Sequence, residues 1–293
     1  MGLGKAIRLR RLFAHPSGRL CSVAVDHYIN YHEGMHPGLA RMARTLTAIA
    51  AGRPDAVTMH KGMAEALWER CGSGIPLILQ TIIARPDDTA CESVLDVEEA
   101  VRLGADAVAA AAFIRGATEG ARLRALAELV REAGRFDMPV VAHVYPRVAG
   151  HQGVEGFTGG VSISTAPEDV AWAVRCAVEV GADVVKVPYC GDRQSFRQIV
   201  ETCPRPVVIA GGPQQGSLAG ALQMTREAMQ AGARGTTVGR NIWGQARVTA
   251  TLRAFLAVVH DGATPEQAIA RAGLGGNSDA TQQLDPSGTG EER

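Results

Sequence analysis

Amphipathic stretches alternate with short runs of β-branched or small residues along most of the chain. The unit is clearest in VEEAVRLGADAVAAAAF (97–113) and AWAVRCAVEVGADVVKV (171–187), and looser copies are TREAMQAGARGTTVG (225–239) and LTAIAAGRPDAVTMH (46–60). A glycine follows each amphipathic stretch, which predicts that the helix ends in a left-handed cap and that a strand follows directly. Repeated helix–glycine–strand units predict parallel strands joined by crossover helices.

Eight apolar runs of strand length occur in this pattern. The predicted strands cover residues 20–25, 56–60, 77–82, 106–112, 139–144, 183–187, 206–210 and 235–238. Eight alternations of strand and helix favour an α/β fold that closes as a single-domain (β/α)8 TIM barrel, rather than an open doubly wound sheet. No G-x-G-x-x-G opens the first strand–helix turn, which argues against a dinucleotide-binding fold. We expect a lead-in with a short helix over 1–17, the barrel over 18–272, and a disordered Gly-, Ser- and Asp-rich tail over 273–293.

Composition agrees with this fold and excludes several classes of function. The chain has 293 residues, of which 46% are hydrophobic and 20% charged, so it can form a large core. Its 30 basic residues balance 30 acidic ones without a long basic run, which argues against nucleic-acid and membrane-surface partners. Its 6 scattered cysteines form no C-x-x-C pair, which predicts reduced thiols rather than disulfides or a zinc site. Without a signal-peptide core or an apolar run of about 18 residues, we expect a cytoplasmic protein.

Polar residues stand at the carboxyl ends of the predicted strands, where barrels of this type place their active sites. In chain order these are Asp26, His27, His60, Lys61, His143, Tyr145, Arg147 and Lys186, followed by the glycine-rich stretches IAGGPQQG (209–216) and VGRNIWG (238–244). Several titratable groups therefore converge on one rim, and we predict the active site there.

The glycine-rich stretches after the seventh and eighth strands predict a phosphate site. Gly211-Gly212 and Gly239-Arg240 fall on the two adjacent loops that bind phosphate in many barrels. Glycines let backbone N–H groups approach an anion, and Arg240 can add a charge-assisted hydrogen bond. Two ordinary glycine turns are the alternative, but their placement on this pair of loops favours phosphate binding.

Lys186 is the most unusual of these residues, because valines flank it on both sides in the sixth predicted strand. A lone strand-end lysine commonly extends its ammonium group to solvent, and that interpretation stays open. A lysine that faces the barrel interior instead loses hydration, which favours the neutral amine. Such an amine can attack a carbonyl and form a Schiff base, whose protonated imine lets a nearby carbon–carbon bond break or form. Lys61, if it points to the same rim, would favour the neutral amine further.

This chemistry also needs groups that carry protons to the leaving alkoxide and to the enamine carbon. Tyr145 and Asp26, at the ends of the fifth and first predicted strands, are the best candidates. Each has a structural alternative, since an aspartate after a strand is often a helix cap and a tyrosine is often a packing residue.

Together these residues resemble the class I aldolases that include archaeal-type fructose-bisphosphate aldolases, deoxyribose-phosphate aldolase relatives and tagatose-type enzymes. The resemblance runs from about residue 20 to residue 260. It is carried by five motifs in this order: VDH (25–27), YPR (145–147), VVKVPYCGD (184–192), VIAGGP (208–213) and VGRNIW (238–243). A further motif, AVTMHKG (56–62), is more similar to the aminodideoxyheptulosonate synthase branch than to the fructose-bisphosphate enzymes.

The resemblance implies that Lys186 forms the Schiff base, that Tyr145 donates the proton and that Asp26 is the acid after the first strand. It implies phosphate contacts at Gly211, Gly212, Gly239 and Arg240. We expect further substrate-side residues at the strand ends, namely His27, His60, Lys61 and Arg147. The imine takes the role of a metal in this family, so no metal or other cofactor is expected, and the family's ring assemblies imply a homo-oligomer that acts on a phosphorylated small molecule.

The chain departs from the family pattern at the substrate end. The loop DHYINYHEGMHPG (26–38) is longer than the usual one, and it places four aromatic or histidine side chains near the mouth, those of Tyr28, Tyr31, His32 and His36. Val148 replaces a glycine after YPR, and Val187-Pro188 follows the lysine. These changes lie at the substrate end, so they bear on which carbonyl compound is bound more than on the Schiff-base chemistry. His143 and Cys190 are expected beside the site, without an assigned role.

The leading hypothesis is therefore a Schiff-base aldolase acting on a phosphorylated ketose, or on dihydroxyacetone phosphate and an aldehyde. Within the same machinery, the alternatives are an aldol-type transfer to aspartate semialdehyde, as in aminodideoxyheptulosonate synthase, and a thiolase-like acyl transfer on a phosphorylated diketone. Tyr145 favours aldol chemistry, because the thiolase-like relatives lack a tyrosine at that place. Two remoter alternatives stay open, a phosphate-binding barrel isomerase and a non-catalytic sugar-phosphate-binding protein.

Overall fold

The computed structural model describes residues 2–30, 36–72, 74–152, 161–212 and 216–275. The strands are β1 Leu20–Ala24, β2 Ala56–Met59, β3 Leu77–Ala84, β4 Cys91–Ser93, β5 Ala107–Ile114, β6 Val140–Gln152, β7 Val161–Ile163, β8 Val184–Val187, β9 Val207–Ala210 and β10 Gly235–Val238. The helices are α1 Leu3–Leu12, α2 His27–Asn30, α3 Pro37–Ala40, α4 Met42–Gly52, α5 Lys61–Cys71, α6 Val97–Arg102, α7 Glu119–Arg135, α8 Pro167–Glu179, α9 Arg193–Glu201, α10 Leu218–Gln230, α11 Arg240–Trp243, α12 Val248–Asp261 and α13 Pro265–Arg271.

Eight parallel strands close into a barrel in the order β1, β2, β3, β5, β6, β8, β9 and β10, and β10 pairs back with β1. The closing register joins Leu20 to Gly235 and Val23 to Val238. Helices surround this ring, so the protein has the single-domain TIM-barrel fold, and the predicted fold class is confirmed. All eight predicted strands are present, with ends that differ by at most two residues except in β6, which runs on to Gln152 instead of ending at 144.

Left-handed glycines end three of the four repeated helix units, as the sequence predicts. Gly104, Gly181 and Gly232 have φ angles of 75°, 92° and 102°. The fourth unit differs, because Arg53 takes the left-handed position at φ 55° and Gly52 stays in α4. A Cβ on Gly52 would lie 2.5 Å from Cδ2 of Leu252 on α12, so this glycine allows close helix packing instead.

The barrel interior changes from apolar to polar along the strands. The layer at the amino ends contains Leu20, Ala56, Ile78, Ala107, Ala109, Val141, Val184 and Val208, and Leu12 of α1 packs against it. Two residues further along several strands, the inward side chains are polar and buried: Ser22, Thr58, Gln80, His143, Lys186 and Thr237. The amino end of the barrel is therefore a closed apolar core, and the polar layer leads to the opposite end.

Two short antiparallel strands that were not predicted from the sequence extend the barrel at its carboxyl end. β4 pairs with β3, and β7 pairs with the second half of β6, where Arg147 lies opposite Ile163. Because of this pairing β6 runs on to Gln152, so Tyr145 and Arg147 lie within a strand rather than after it. β4 and β7 have three residues each, which is too short for an alternating pattern of apolar and polar residues to predict a strand.

The two predicted end segments differ in how much of them the structure describes. The lead-in contains α1, whose Lys5 ammonium forms a 2.8 Å ion pair with Asp183. After α13, Gly273 turns the chain at φ 68° and Leu274 is buried, so ordered packing extends past the predicted boundary at 272. Residues 276–293 of the predicted tail lie outside the described part. None of the helices described here is long and apolar enough to cross a membrane.

Candidate active site

A cavity of about 540 Å³ opens at the carboxyl ends of the barrel strands. Its walls come from β1, β6, β8, β9 and β10, the loops that follow them, β7 and one face of α10. Of the residues predicted from the sequence, it brings together Lys186, Tyr145, His27, Gly211, Gly212, Gly239 and Arg240. The predicted rim is thus a concave site with a cation and a phenol within it.

Lys186 lies at the transition between the closed core and the cavity. Val184, two residues earlier on β8, belongs to the interior apolar layer, so Lys186 projects into the barrel as well. The residue is 5% exposed, and its amine has no hydrogen bond or ion pair within the described residues. A buried amine without a counterion is available for reaction with a ligand in the cavity.

The other two lysines of the chain are ion-paired. Lys5 pairs with Asp183 at 2.8 Å on the amino-terminal side of the barrel. Lys61 contacts both carboxylate oxygens of Glu99, at 2.8 and 2.9 Å, and is not among the residues that line the cavity. The condition stated for Lys61, that it points to the rim near Lys186, is therefore not met here, because its ammonium group pairs with Glu99 on α6.

His27 adds a neutral imidazole to the cavity wall. Burial lowers its pKa well below the usual value, and the positive charges of Arg240 and Lys186 lower it further. The ring packs edge-on against Trp243, with 5.1 Å between centroids. At neutral pH, His27 therefore adds hydrogen-bonding capacity without a third positive charge.

Tyr145 is held by the barrel rather than by a loop. Its ring stacks on Phe113 of β5, with centroids 5.5 Å apart and planes 24° apart, and the residue is 4% exposed. Because β6 continues past it, the phenol has a fixed direction into the cavity. A fixed phenol at the wall of a reaction cavity is suited to proton transfer.

The two glycine-rich loops meet on one wall of the cavity. Nη2 of Arg240 approaches the carbonyl of Gly212 at 3.4 Å, and Asn241 donates to the carbonyl of Gly211 at 2.8 Å. A Cβ on Gly239 would lie 2.5 Å from Cε1 of His27, and Gly212 has a φ of 70°. Glycine is thus required by close packing and backbone conformation here; residues 213–215 of this predicted stretch lie outside the described part.

Asp26 and His60 lie just outside the cavity lining. The Asp26 carboxylate is 3% exposed, and its Oδ1 lies 3.6 Å from Nδ1 of His27. Burial lowers the pKa of His60, and the negative charge of Asp26 opposes that shift only in part. Neither residue is part of the cavity lining in the described chain, and the predicted roles of both stay predictions.

Arg147 is also withdrawn from the cavity. Its guanidinium pairs with Asp88 at 2.6 Å and donates to Thr118 at 3.1 Å. The residue is buried and is not part of the cavity wall in the described chain. In this structure Arg147 therefore joins β6 to the β3–β4 turn through its ion pair with Asp88, and its predicted contact with substrate stays a prediction.

The long loop after β1 reaches the site through His36. The His36 ring packs edge-on against Trp243 at 4.6 Å, and its Nδ1 accepts a hydrogen bond from Gly38 at the start of α3. Burial and the charge of Arg240 lower the pKa of His36, so this imidazole stands near the two glycine-rich loops. Tyr28 packs against the core, whereas Tyr31 and His32 lie outside the described residues.

Sequence reasoning missed a polar face of α10. Gly220, Gln223, Met224 and Glu227 line the cavity, and their spacing of three, one and three residues places them on one side of the helix. Tyr189, two residues after β8, faces them and donates to Oε2 of Glu227 at 3.5 Å. The available signal was the polar pair Gln223 and Glu227, four residues apart on one side of the helix.

Comparisons with known proteins agree with this geometry. The family model described as "DeoC/LacD family aldolase" matches residues 20–245. A 2-amino-3,7-dideoxy-D-threo-hept-6-ulosonate synthase from Halobacterium salinarum is 36% identical over 92% of this chain and 97% of its own length. A class 1 fructose-bisphosphate aldolase from Thermoproteus tenax is 32% identical, covering 86% and 93%. A solved structure of a Schiff-base-forming fructose-1,6-bisphosphate aldolase is 30% identical with a TM-score of 0.75, covering 87% of this chain and 99% of that one.

Proposed function

This chain belongs to the DeoC/LacD family of class I, Schiff-base aldolases, and from that premise we propose that Lys186 forms a Schiff base with dihydroxyacetone phosphate or a phosphorylated ketose. Family membership, which the motifs predicted, makes it an enzyme and favours the aldolase over the non-catalytic alternative. The observation that carries the proposal is that, of the three lysines in the sequence, two are ion-paired and Lys186 alone is a cavity residue.

The proposed reaction follows from the placement of that amine. The neutral amine of Lys186 adds to the ketone carbonyl to form a carbinolamine, which takes up a proton and loses water to leave a protonated imine. The imine withdraws electrons from the adjacent carbon, so the next carbon–carbon bond breaks to an aldehyde and an enamine, or forms in the reverse direction. The enamine carbon then gains a proton, and hydrolysis of the imine releases the ketone and restores the lysine.

Tyr145 is the proposed proton carrier for this reaction. In synthesis the phenol donates a proton to the new alkoxide, and in cleavage its phenolate form accepts the hydroxyl proton as the aldehyde forms. Asp26 is proposed to support the exchange from behind His27, at the 3.6 Å separation given above, rather than by touching the substrate. The stacking on Phe113 keeps the phenol directed into the cavity through both steps.

The phosphate of the substrate is proposed to bind at the wall formed by Gly211, Gly212, Gly239 and Arg240. Arg240 is 9% exposed, so a bond from its guanidinium to a phosphate is shielded from bulk water. Small residues in both loops let the anion approach the backbone N–H groups. A phosphate here fixes the ketone end of the substrate on the β9–β10 side, close to Lys186 on β8.

Borohydride reduction tests the proposal. Incubation with dihydroxyacetone phosphate and sodium borohydride is expected to add one reduced three-carbon phosphate unit per chain and to abolish aldolase activity. The matched control is Lys61→Met, which removes an ion-paired lysine and should leave the adduct unchanged, whereas Lys186→Met should remove it. Absence of an adduct with every phosphorylated ketone tried would refute the Schiff base at this site.

A second candidate function is aldol synthesis onto an aldehyde that carries an amino group, and Glu227 favours it. Its Oε1 accepts from Gln223 at 2.8 Å, and Tyr189 approaches its Oε2. Burial and the charge of Glu227 raise the pKa of Tyr189 to about 12, so the phenol stays a donor. No cation pairs with this carboxylate among the described residues, which leaves it open to an ammonium group in the cavity.

The name of the Halobacterium relative describes a compound that fits this candidate. A 2-amino-3,7-dideoxyhept-6-ulosonate has hydroxyl groups at C4 and C5 and a ketone at C6, so an aldol bond joins C4 to C5. Its aldehyde half would carry an amino group and a carboxylate. We expect this protein to condense such an amino aldehyde faster than its deaminated analogue, and Glu227→Gln should remove the difference while borohydride trapping continues. Equal rates for both aldehydes in the unaltered protein would exclude the candidate.

A further inference from the structure

His143 is a buried imidazole beside the proposed nucleophile. In the register of β6 and β8, His143 lies opposite Lys186, and such Cα partners on adjacent strands are about 4.8 Å apart. Val141 and Val184, two residues earlier on the same strands, both belong to the interior apolar layer. The imidazole and the amine therefore project into the same part of the barrel.

Neither group has a hydrogen-bond partner among the described residues. His143 is 1% exposed, and neither of its ring nitrogens makes a hydrogen bond within the described residues. Lys186, at 5% exposed, is likewise without a hydrogen bond or ion pair in that part of the chain. The two groups are not hydrogen-bonded to each other in this conformation either, but buried polar atoms are almost always hydrogen-bonded in folded proteins, and a rotation of the lysine side chain would give both of them a partner. The cavity lining includes Lys186 but not His143, which places the imidazole behind the amine.

The surroundings of His143 keep its ring neutral. Lys186 faces it from β8, His27 faces it from the start of α2, and Ala111 on β5 lies opposite it without a charge. Burial lowers the pKa of His143 well below the usual value, the positive charge of Lys186 lowers it further, and protonation of His27 would do the same. Tyr145 is the remaining titratable neighbour on its own strand, two residues along. A neutral imidazole offers a lone pair to an N–H donor, which an imidazolium does not.

We propose that His143 is a positioning residue for the Schiff-base lysine: its ring nitrogen accepts a hydrogen bond from Nζ of Lys186 and so directs the reactive amine toward the substrate carbonyl. The proposal rests on the proposed Schiff base at Lys186. It assigns His143 no contact with substrate and no share in bond making. Without this hydrogen bond the amine would be displaced, and a displacement of about 1 Å can slow such a reaction by a factor of about 100.

The rate of borohydride-trappable imine formation with dihydroxyacetone phosphate tests this role. His143→Leu removes the acceptor and is expected to slow trapping about 10- to 100-fold. His143→Asn and His143→Gln keep an uncharged acceptor, and at least one of them should recover most of the rate. Trapping by the leucine variant at the unaltered rate, with unchanged thermal unfolding, would overturn the proposal. No adduct in the unaltered protein would instead refute the proposed function, so the two failures are distinguishable.

A measurement on the intact protein covers the case in which His143→Leu does not fold. Histidine ¹⁵N NMR follows the ring nitrogens of His143, assigned by their loss in His143→Asn. In Lys186→Met the ring should lose its donor and a neighbouring positive charge, so its nitrogen shifts should change at neutral pH and its pKa should rise. Identical shifts and titration in both proteins would show that the imidazole does not contact the lysine, and would also overturn the proposal.

Discussion

At the scale of single residues, the site depends on how differently the strand-end polar groups are paired. Lys186 and Tyr145 are directed into the cavity, whereas Lys61 and Arg147 are held by Glu99 and Asp88. The sequence places all four at strand ends, but it does not show which of them has a counterion. Partner choice, rather than position along the strand, therefore separates reactive from structural residues here.

Tyr145 should affect turnover without affecting imine formation. In Tyr145→Phe the ring still stacks on Phe113, so we expect borohydride trapping to continue. Loss of the phenol removes the proton carrier, which should lower kcat about 100- to 10,000-fold. The two assays on the same preparation control for folding. Turnover at the unaltered rate would remove Tyr145 from the reaction.

Arg240 should affect binding of phosphorylated substrates. Arg240→Ala removes a charge-assisted bond to the phosphate, so we expect KM for a phosphorylated ketose to rise about 10- to 100-fold. KM for the unphosphorylated analogue should barely change. Arg253→Ala is a matched control, because Arg253 is an exposed residue of α12 outside the cavity. An equal rise for both substrates would contradict a phosphate site at Arg240.

At the scale of elements, a charged cluster fixes the extended end of β6. Asp88, in the turn between β3 and β4, accepts from Arg147 of β6 and from Arg122 of α7 at 2.6 and 2.7 Å. Thr118 also donates to it at 2.8 Å. The cluster ties β6 to its neighbours on the side of Tyr145, so it contributes to the direction of that phenol.

The stability of this cluster should depend on pH. Burial alone would raise the pKa of Asp88, but the hydrogen bonds from Arg122, Arg147 and Thr118 outweigh it and lower the pKa in the folded state. The cluster therefore stabilises the fold above the unfolded-state pKa, near 4, and the contribution is lost as pH falls through the folded-state pKa. We expect Asp88→Asn to lower the free energy of unfolding by about 1 kcal/mol at pH 7. Denaturant unfolding at pH 7 and in strong acid checks this, and an equal difference at both would contradict the ionic cluster.

Much of the element pattern could be predicted because local chemistry determines it. Helix amphipathicity and the glycine caps at Gly104, Gly181 and Gly232 mark the barrel units, and the rim positions of Lys186 and Tyr145 follow from strand ends. The antiparallel strands β4 and β7 were not predicted, because pairing with β3 and β6 stabilises them rather than their own three residues. The cavity-lining residues of α10 were not predicted for a related reason. Helix periodicity shows which residues lie on the same side of a helix, but not that this side faces a cavity.

At the scale of the whole molecule, stability and chemistry are separated along the barrel axis. The amino end is a closed apolar layer sealed by α1, and the polar layer and cavity lie beyond it. This division explains how a core strand can carry an amine. Val184 on β8 contributes to the packed layer, and Lys186 on the same side of the strand reaches the cavity floor.

The division predicts opposite effects of two substitutions. Ile78 is 2% exposed in the closed layer, so Ile78→Ala should lower the free energy of unfolding by about 2–5 kcal/mol while imine trapping persists. Lys186→Met should abolish trapping without lowering stability, since an apolar side chain of similar length replaces a buried amine that has no counterion. Chemical denaturation and trapping on both variants check this. Loss of trapping in folded Ile78→Ala would contradict the separation.

The central claim is that one particular amine carries the chemistry, and the sequence makes it simple to test. The chain has only three lysines, at 5, 61 and 186, so peptide mapping after borohydride reduction with dihydroxyacetone phosphate can assign the adduct without ambiguity. We predict that the reduced three-carbon phosphate unit is found on the peptide containing Lys186 and on neither of the others. Modification of Lys61 or Lys5 at comparable occupancy, or an unmodified Lys186 peptide in inactivated protein, would contradict the account.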